Sequence, residues 1–169
     1  LQEQVALLEN ADGCLALGSG MAAVATTCLA LLRPGDHIVS DWTTYSSTHE
    51  MFDHRLTDFG IETTFVDCND IEAVEAAITK NTKVVYFETI ANPNMRVTAI
   101  PPLVKLAHDN NLLVICDNTF ASPYVIRPLD WGVDIVVESA TKFMGGHNDV
   151  LGGIIAIKQT NLPDDFLHD

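Results

Sequence analysis

At 169 residues the chain is long enough for one domain with a sizeable core. A composition that is 47% hydrophobic and only 19% charged excludes a disordered or fibrous class. Nine Lys and Arg against 23 Asp and Glu give a formal charge of −14, which argues against a nucleic-acid or anionic-membrane partner and leaves any anionic ligand to be held by local donors.

Helical and strand patterns alternate along the chain. Residues 1–9 read as the end of a helix, and residues 14–17 as a short apolar strand broken by Gly18-Ser19-Gly20. An Ala-rich helix over 21–32 closes at Arg33-Pro34-Gly35. A strand over 37–40 precedes a helix over 46–59 that stops at Gly60. A strand over 62–66 and a helix over 71–78 follow, the helix with Asp70 as its N-cap. Then come a strand over 84–88, a helix over 101–110 with proline near its start, and a strand over 112–116. A loop rich in polar and aromatic residues leads to the last two strands, 133–137 and 154–158. The strands are mostly continuous apolar runs, as burial on both faces requires, so the order predicts a three-layer αβα fold around a mostly parallel sheet. There is no internal repeat and no second domain. The polar tail from Gln159 to Asp169 is expected to lead into further chain.

The chemistry gathers at strand ends. Lys142 stands just past the apolar run 133–137, with Ser139 and Thr141 beside it and Gly145-Gly146 beyond. A desolvated lysine there can form a Schiff base with an aldehyde; the plainer alternative is a solvated lysine after a strand. Ser19, Gly20 and Met21 open a helix after a strand, where free N–H groups and the helix dipole suit a phosphate, although a tight turn has the same signature. Asp117 ends a buried strand, as either a turn-capping carboxylate or a fixed anion for a cationic ring nitrogen. Tyr45 could stack on a planar ring or merely cap the core edge. Asn92-Pro93 follows the strand ending at Glu88. In a parallel sheet these positions share one rim, and together they form the parts list for pyridoxal 5′-phosphate (PLP).

The segments Asp134-Ile135-Val136-Val137-Glu138-Ser139-Ala140-Thr141-Lys142 with Gly145-Gly146-His147, Glu88-Thr89-Ile90-Ala91-Asn92-Pro93-Asn94, and Asp117-Asn118-Thr119-Phe120 resemble the Cys/Met-metabolism PLP enzymes of fold type I. The resemblance covers nearly the whole chain. It implies an aspartate-aminotransferase-like large domain in which Lys142 forms the internal aldimine and shuttles protons. It further implies that Asp117 pairs with the pyridinium nitrogen, that Tyr45 stacks on the ring, and that Asn92 contacts the ring hydroxyl. The Gly20 and Met21 amides with the Ser139 and Thr141 hydroxyls would hold the phosphate, with Ser19 and Thr119 in support. The chain departs from the family pattern at Glu138, where histidine is frequent, and at Ser46-Ser47, where methionine γ-lyases carry Gly-Cys.

The resulting expectation is a PLP-dependent carbon–sulfur lyase acting on a small amino-acid substrate. The alternatives are a γ-replacing synthase or sulfhydrylase, or a non-catalytic α/β binding or assembly module. The resemblance also implies a homo-oligomer, a dimer of dimers. It implies that residues 1–169 are the large domain of a longer chain, lacking the amino-terminal arm and the carboxyl-terminal domain. Cys14, Cys28, Cys68 and Cys116 show no CxxC pairing and read as free thiols of a cytoplasmic protein. The histidines show no metal-binding spacing, no apolar stretch is long enough to span a bilayer, and neither a metal nor a membrane is expected.

Overall fold

The computed structural model describes residues 1–159, so the tail beyond Gln159 lies outside the described residues. The elements follow the order α1 (Gln2–Glu9), β1 (Gly13–Leu17), α2 (Gly20–Leu31), β2 (His37–Asp41), α3 (Ser46–Glu50), a π-helical turn (Met51–Arg55) and α4 (Leu56–Asp58). Then come β3 (Glu62–Val66), α5 (Ile71–Ala77), β4 (Thr82–Glu88), α6 (Ile100–Asp109), β5 (Leu113–Asp117), α7 (Ser122–Val125), a 3₁₀ turn (Pro128–Trp131), β6 (Ile135–Glu138) and β7 (Gly153–Ile157).

The seven strands form one sheet in the order β1-β7-β6-β5-β4-β2-β3. The central pairs β3-β2-β4-β5-β6 are parallel, whereas β7 runs antiparallel to both β6 and β1. Two reversals cancel, so β1 points the same way as β6 and its carboxyl end reaches the same rim. The expected mostly parallel sheet is present, with one strand inverted.

Successive strand residues face opposite layers, as the pleat requires. Val85, Phe87, Val114, Cys116, Val136 and Ala156 pack with Val5 of α1, Val74 of α5 and Leu103 of α6. Val84, Tyr86, Ile115, Ile135, Val137 and Ile155 pack with Ala23, Val24 and Cys28 of α2, Phe52 and Leu56. The central strands are buried on both faces; β1 and β3, at the edges, are partly exposed.

Local signals explain most boundaries. The Asp70 carboxylate accepts from Ala73 N at 3.0 Å and starts α5 as expected. The Ser19 hydroxyl accepts from Ala22 N at 3.1 Å and starts α2. The expected helix over 46–59 is divided by the π-helical turn, which seats Phe52 edge-on against Tyr86 with ring centroids 4.9 Å apart. The loop expected after β5 contains α7 and the 3₁₀ turn, both too short for a periodic signature. All four cysteines are free, three of them buried, and burial raises Cys14 to about 11 and Cys28 to about 12. Among the described residues no helix is long and apolar enough to cross a membrane, and no group of three or more His, Cys, Asp or Glu could hold a metal ion.

Candidate functional site

Five strands deliver their carboxyl ends to one rim: β1 to Ser19-Gly20-Met21, β2 to Tyr45, β4 to Asn92, β5 to Asp117, and β6 to Ser139, Thr141 and Lys142. Two glycines let these loops close on one another. A Cβ on Gly20 would lie 2.7 Å from Ser139 Cβ, and one on Gly153 would lie 2.0 Å from the Ser19 carbonyl oxygen. Without side chains at these positions the β1–α2 turn packs directly against the start of β7 and the end of β6.

A cavity of about 210 Å³ opens at this rim, lined by Tyr45, Glu88, Ile90, Asn92, Asp117, Thr119, Phe120 and Lys142. Asp117 is the last residue of β5 and accepts from Thr119 N at 2.9 Å. Burial pushes its carboxyl above the ordinary range, against the pull of the Thr119 hydrogen bonds. The Thr119 hydroxyl accepts in turn from Ser139 N at 2.8 Å, which ties the Asp117 loop to the Lys142 loop. Lys142 is exposed, and among the described residues it forms no ion pair. Its backbone is held within a tight turn: Lys142 N donates to Ser139 O at 3.0 Å, and Gly146 N donates to Lys142 O at 2.8 Å with Gly146 at φ 76°.

Tyr45 stands at the start of α3 and is 43% exposed, available to stack on a ligand. The turn that presents it is fixed by buried Asp41, which accepts from Thr43 N at 2.7 Å and Cys68 N at 3.0 Å. Asn92 is half-buried, beside a cis Asn92–Pro93 bond. The Gly20 and Met21 amides, first in α2, have no hydrogen-bond partner among the described residues. Two of the other phosphate candidates are already engaged. The Ser19 hydroxyl is the α2 cap, and the Thr141 hydroxyl accepts from Gly152 N at 3.1 Å and donates to Gly152 O at 3.3 Å. Ser139 is half-buried at the turn, its side chain against Gly20.

Sequence reasoning assigned no role to Glu88, although it ends β4 just as Asp117 ends β5. Its carboxylate bridges two loops, accepting from Tyr45 N on Oε1 and from Asn92 N on Oε2 at 3.0 Å. Burial, and then the neighbouring Asp117 charge, raises Glu88 to about 8 despite these two donors. A carboxylate terminating a buried apolar run was the available signal. Phe120, also unassigned, lines the cavity and meets Phe143 edge-on with centroids 6.2 Å apart.

None of the four arginines lines this cavity. Arg33 donates to the carbonyls that close α2, Arg55 pairs with Glu50, Arg96 pairs with Asp67, and Arg127 pairs with Asp130.

The residues present fit PLP. A buried carboxylate calls for a cation such as a protonated ring nitrogen. An exposed aromatic ring and an unpaired lysine share its cavity, and two unsatisfied amides open a helix on the same rim. Comparison with known proteins agrees. The family model for "Cys/Met metabolism PLP-dependent enzyme" matches residues 1–168. The chain is 49% identical over 160 residues to an L-methionine gamma-lyase of Fusobacterium nucleatum subsp. nucleatum, covering 94% of this chain and 40% of that protein. It is 48% identical over 162 residues to the cystathionine beta-lyase MetC of Bacillus subtilis, covering 96% of this chain and 41% of that protein. A crystal structure of cystathionine gamma-lyase from Lactobacillus plantarum complexed with L-serine superposes with a TM-score of 0.92 at 45% identity, over 97% of this chain and 43% of that one. The chain thus spans about two-fifths of the length of the curated relatives it matches. With the family model matching residues 1–168 and the rim geometry as described, the chain belongs to the Cys/Met-metabolism PLP-dependent enzymes.

Proposed function

We propose that residues 1–169 form the cofactor-binding large domain of a PLP-dependent carbon–sulfur lyase acting on sulfur amino acids. The observation that carries this reading is the meeting of Lys142, Asp117 and Tyr45 around one 210 Å³ cavity. When bound, PLP supplies an electron sink for the pair of electrons left at the substrate Cα. The chain's own residues do the rest. Lys142 Nζ would hold the cofactor and would hold and move the Cα proton. The Asp117 carboxylate would pair with the ring nitrogen and favour its protonated form. Tyr45 would stack on the ring and exclude water, and Asn92 would bind the ring hydroxyl. The Gly20 and Met21 amides, with the Ser139 hydroxyl, hold the phosphate. Ser19 and Thr141 support that cradle through the backbone they fasten, and Thr119 couples it to Asp117.

The carbon–sulfur lyase reading draws support from relatives named methionine gamma-lyase and cystathionine beta-lyase. An arginine to grip the substrate carboxylate would have to come from outside this cavity, so we place it in a further part of the full-length protein or in a second subunit of a homo-oligomer. Free, largely buried thiols suit a cytoplasmic setting. The test is thiol release by the full-length protein with PLP, using methionine and cystathionine as substrates. Release abolished by Lys142→Ala supports the lyase. Replacement of an activated homoserine side chain without thiol release would make it a transferase of the same family.

A further inference from the structure

Directly beneath the cavity, on the opposite face of the sheet, lies a pair of carboxyl groups with no cationic partner. The ends of β5 and β6 each place consecutive residues on opposite faces. Asp117 and Ser139 face the cavity side, and Asn118 and Glu138 face the layer that contains α1. Glu9, the last residue of α1, and Glu138 are 0% and 2% exposed, and their carboxyl groups lie within hydrogen-bonding reach of each other. Asn118 Nδ2 donates to Glu9 Oε1 at 3.4 Å and to Ile126 O at 3.0 Å. Among the described residues Glu9 Oε2, both oxygens of Glu138, and Asn118 Oδ1 have no donor. The other titratable and charged groups facing the pair are Cys14, Cys116, Asp117, Asp130 and Arg127. The one cation among them, Arg127, is paired with Asp130 at 2.9 Å.

Two ionised carboxylates cannot persist in such a place. Both would be desolvated, each would repel the other, and the single amide donor would be shared. One proton removes a charge and converts two orphaned acceptors into an O–H donor and its acceptor.

We propose that Glu9 and Glu138 share one proton at neutral pH, and that the resulting O–H···O bond, with Asn118, ties α1 to the ends of β5 and β6, making Glu138 a positioning residue for Asp117 and Ser139. The positioning role rests on the cavity being the PLP site; the shared proton does not. Asn118 N also donates to Val137 O at 3.0 Å, so displacement of Glu138 moves both strand ends that feed the cavity.

The test uses the full-length protein with isotope-labelled glutamate and two readouts. The first is the infrared or carbon NMR signal of a buried protonated carboxyl. It should be present at neutral pH, outlast the loss of the Glu88 proton near 8, and disappear only at more alkaline pH, because burial and the neighbouring carboxyl raise the pair. Above the pH at which Glu88 loses its proton it should be absent in both Glu138→Gln and Glu9→Gln, because in each an amide donates to the remaining carboxylate. Persistence of the signal there in either variant overturns the shared proton. The second readout is PLP affinity, from the absorbance of bound cofactor on titrating apoprotein. Glu138→Gln should bind within about threefold of wild type and Glu138→Ala about tenfold more weakly or worse, because only the alanine variant loses the bond. Equal affinity in the alanine variant overturns the positioning role. If the alanine variant does not fold, Glu9→Gln serves in its place, and affinity much below wild type in it overturns the role. Wild type that binds no PLP overturns the cofactor reading and the positioning role with it, while the carboxyl signal alone still decides the proton.

Discussion

Ser139 N donates to the Thr119 hydroxyl at 2.8 Å, and Thr119 N donates to Asp117 Oδ1 at 2.9 Å. One threonine therefore couples the proposed ring-nitrogen partner to the loop that carries the proposed phosphate ligand and Lys142. Thr119→Val keeps the shape and the backbone contact to Asp117 but removes the hydroxyl and orphans the Ser139 amide. PLP affinity should fall by about tenfold, the cost of one buried donor left unpaired. Thr119→Ser should restore it; equilibrium titration of apoprotein with PLP checks both.

The glycines at the rim make different demands. A Cβ on Gly153 would strike the Ser19 carbonyl at 2.0 Å, whereas one on Gly18 meets nothing within 4 Å. Gly153→Ala should destabilise the protein by about 2 kcal/mol or more, since backbone must move. Gly18→Ala should stay within about 0.5 kcal/mol of wild type. Denaturant unfolding of the two variants side by side measures the contrast.

Glu88 gives a pH dependence of defined sign. Its folded value of about 8 lies above the ordinary 4.5, so the folded protein binds the extra proton between those limits. Its contribution is fully present below 4.5 and is lost as pH rises through 8, with a slope of at most about 1.4 kcal/mol per pH unit. Glu88→Gln should flatten stability over this window. It should also cost roughly 1–3 kcal/mol at the acid end, because its NH₂ must face either the Tyr45 or the Asn92 amide. Unfolding midpoints across that pH range, for wild type and variant, test both parts.

Asp117→Asn keeps the shape of the cavity but removes the charge facing the ring nitrogen. Turnover should fall by roughly 100-fold or more while PLP still binds, the loss expected for a buried charged hydrogen bond worth several kcal/mol. Turnover close to wild type would remove Asp117 from its proposed role.

Strands and helices were legible wherever apolar runs were long and punctuated. The strand over 62–66 lies as read, and the Asp70 cap starts its helix as read. The direction of β7 was not legible, because an apolar run carries no sign of parallel or antiparallel pairing. Nor was the division of the helix over 46–59, since a π-helical turn keeps near-helical spacing of its apolar residues. At the site, Lys142, Asp117, Tyr45 and Asn92 were singled out because each follows a buried strand, and the sheet brings them to one cavity. What the residue pattern could not show is which hydroxyls are already bonded. Ser19, which caps a helix, and Thr141, which clasps Gly152, make hydrogen bonds in the fold that their sequence context does not reveal. Glu88 went unassigned because its partners are backbone amides of two distant loops, which leave no mark in side-chain composition.

The central claim is that Lys142 is the covalent anchor of PLP. Borohydride reduction of the full-length protein loaded with PLP, followed by peptide mapping, fixes the cofactor to the lysine that holds it. The account predicts a pyridoxyl label on Lys142 alone, absent from Lys142→Ala. A label on Lys80, Lys83, Lys105 or Lys158 instead would contradict it.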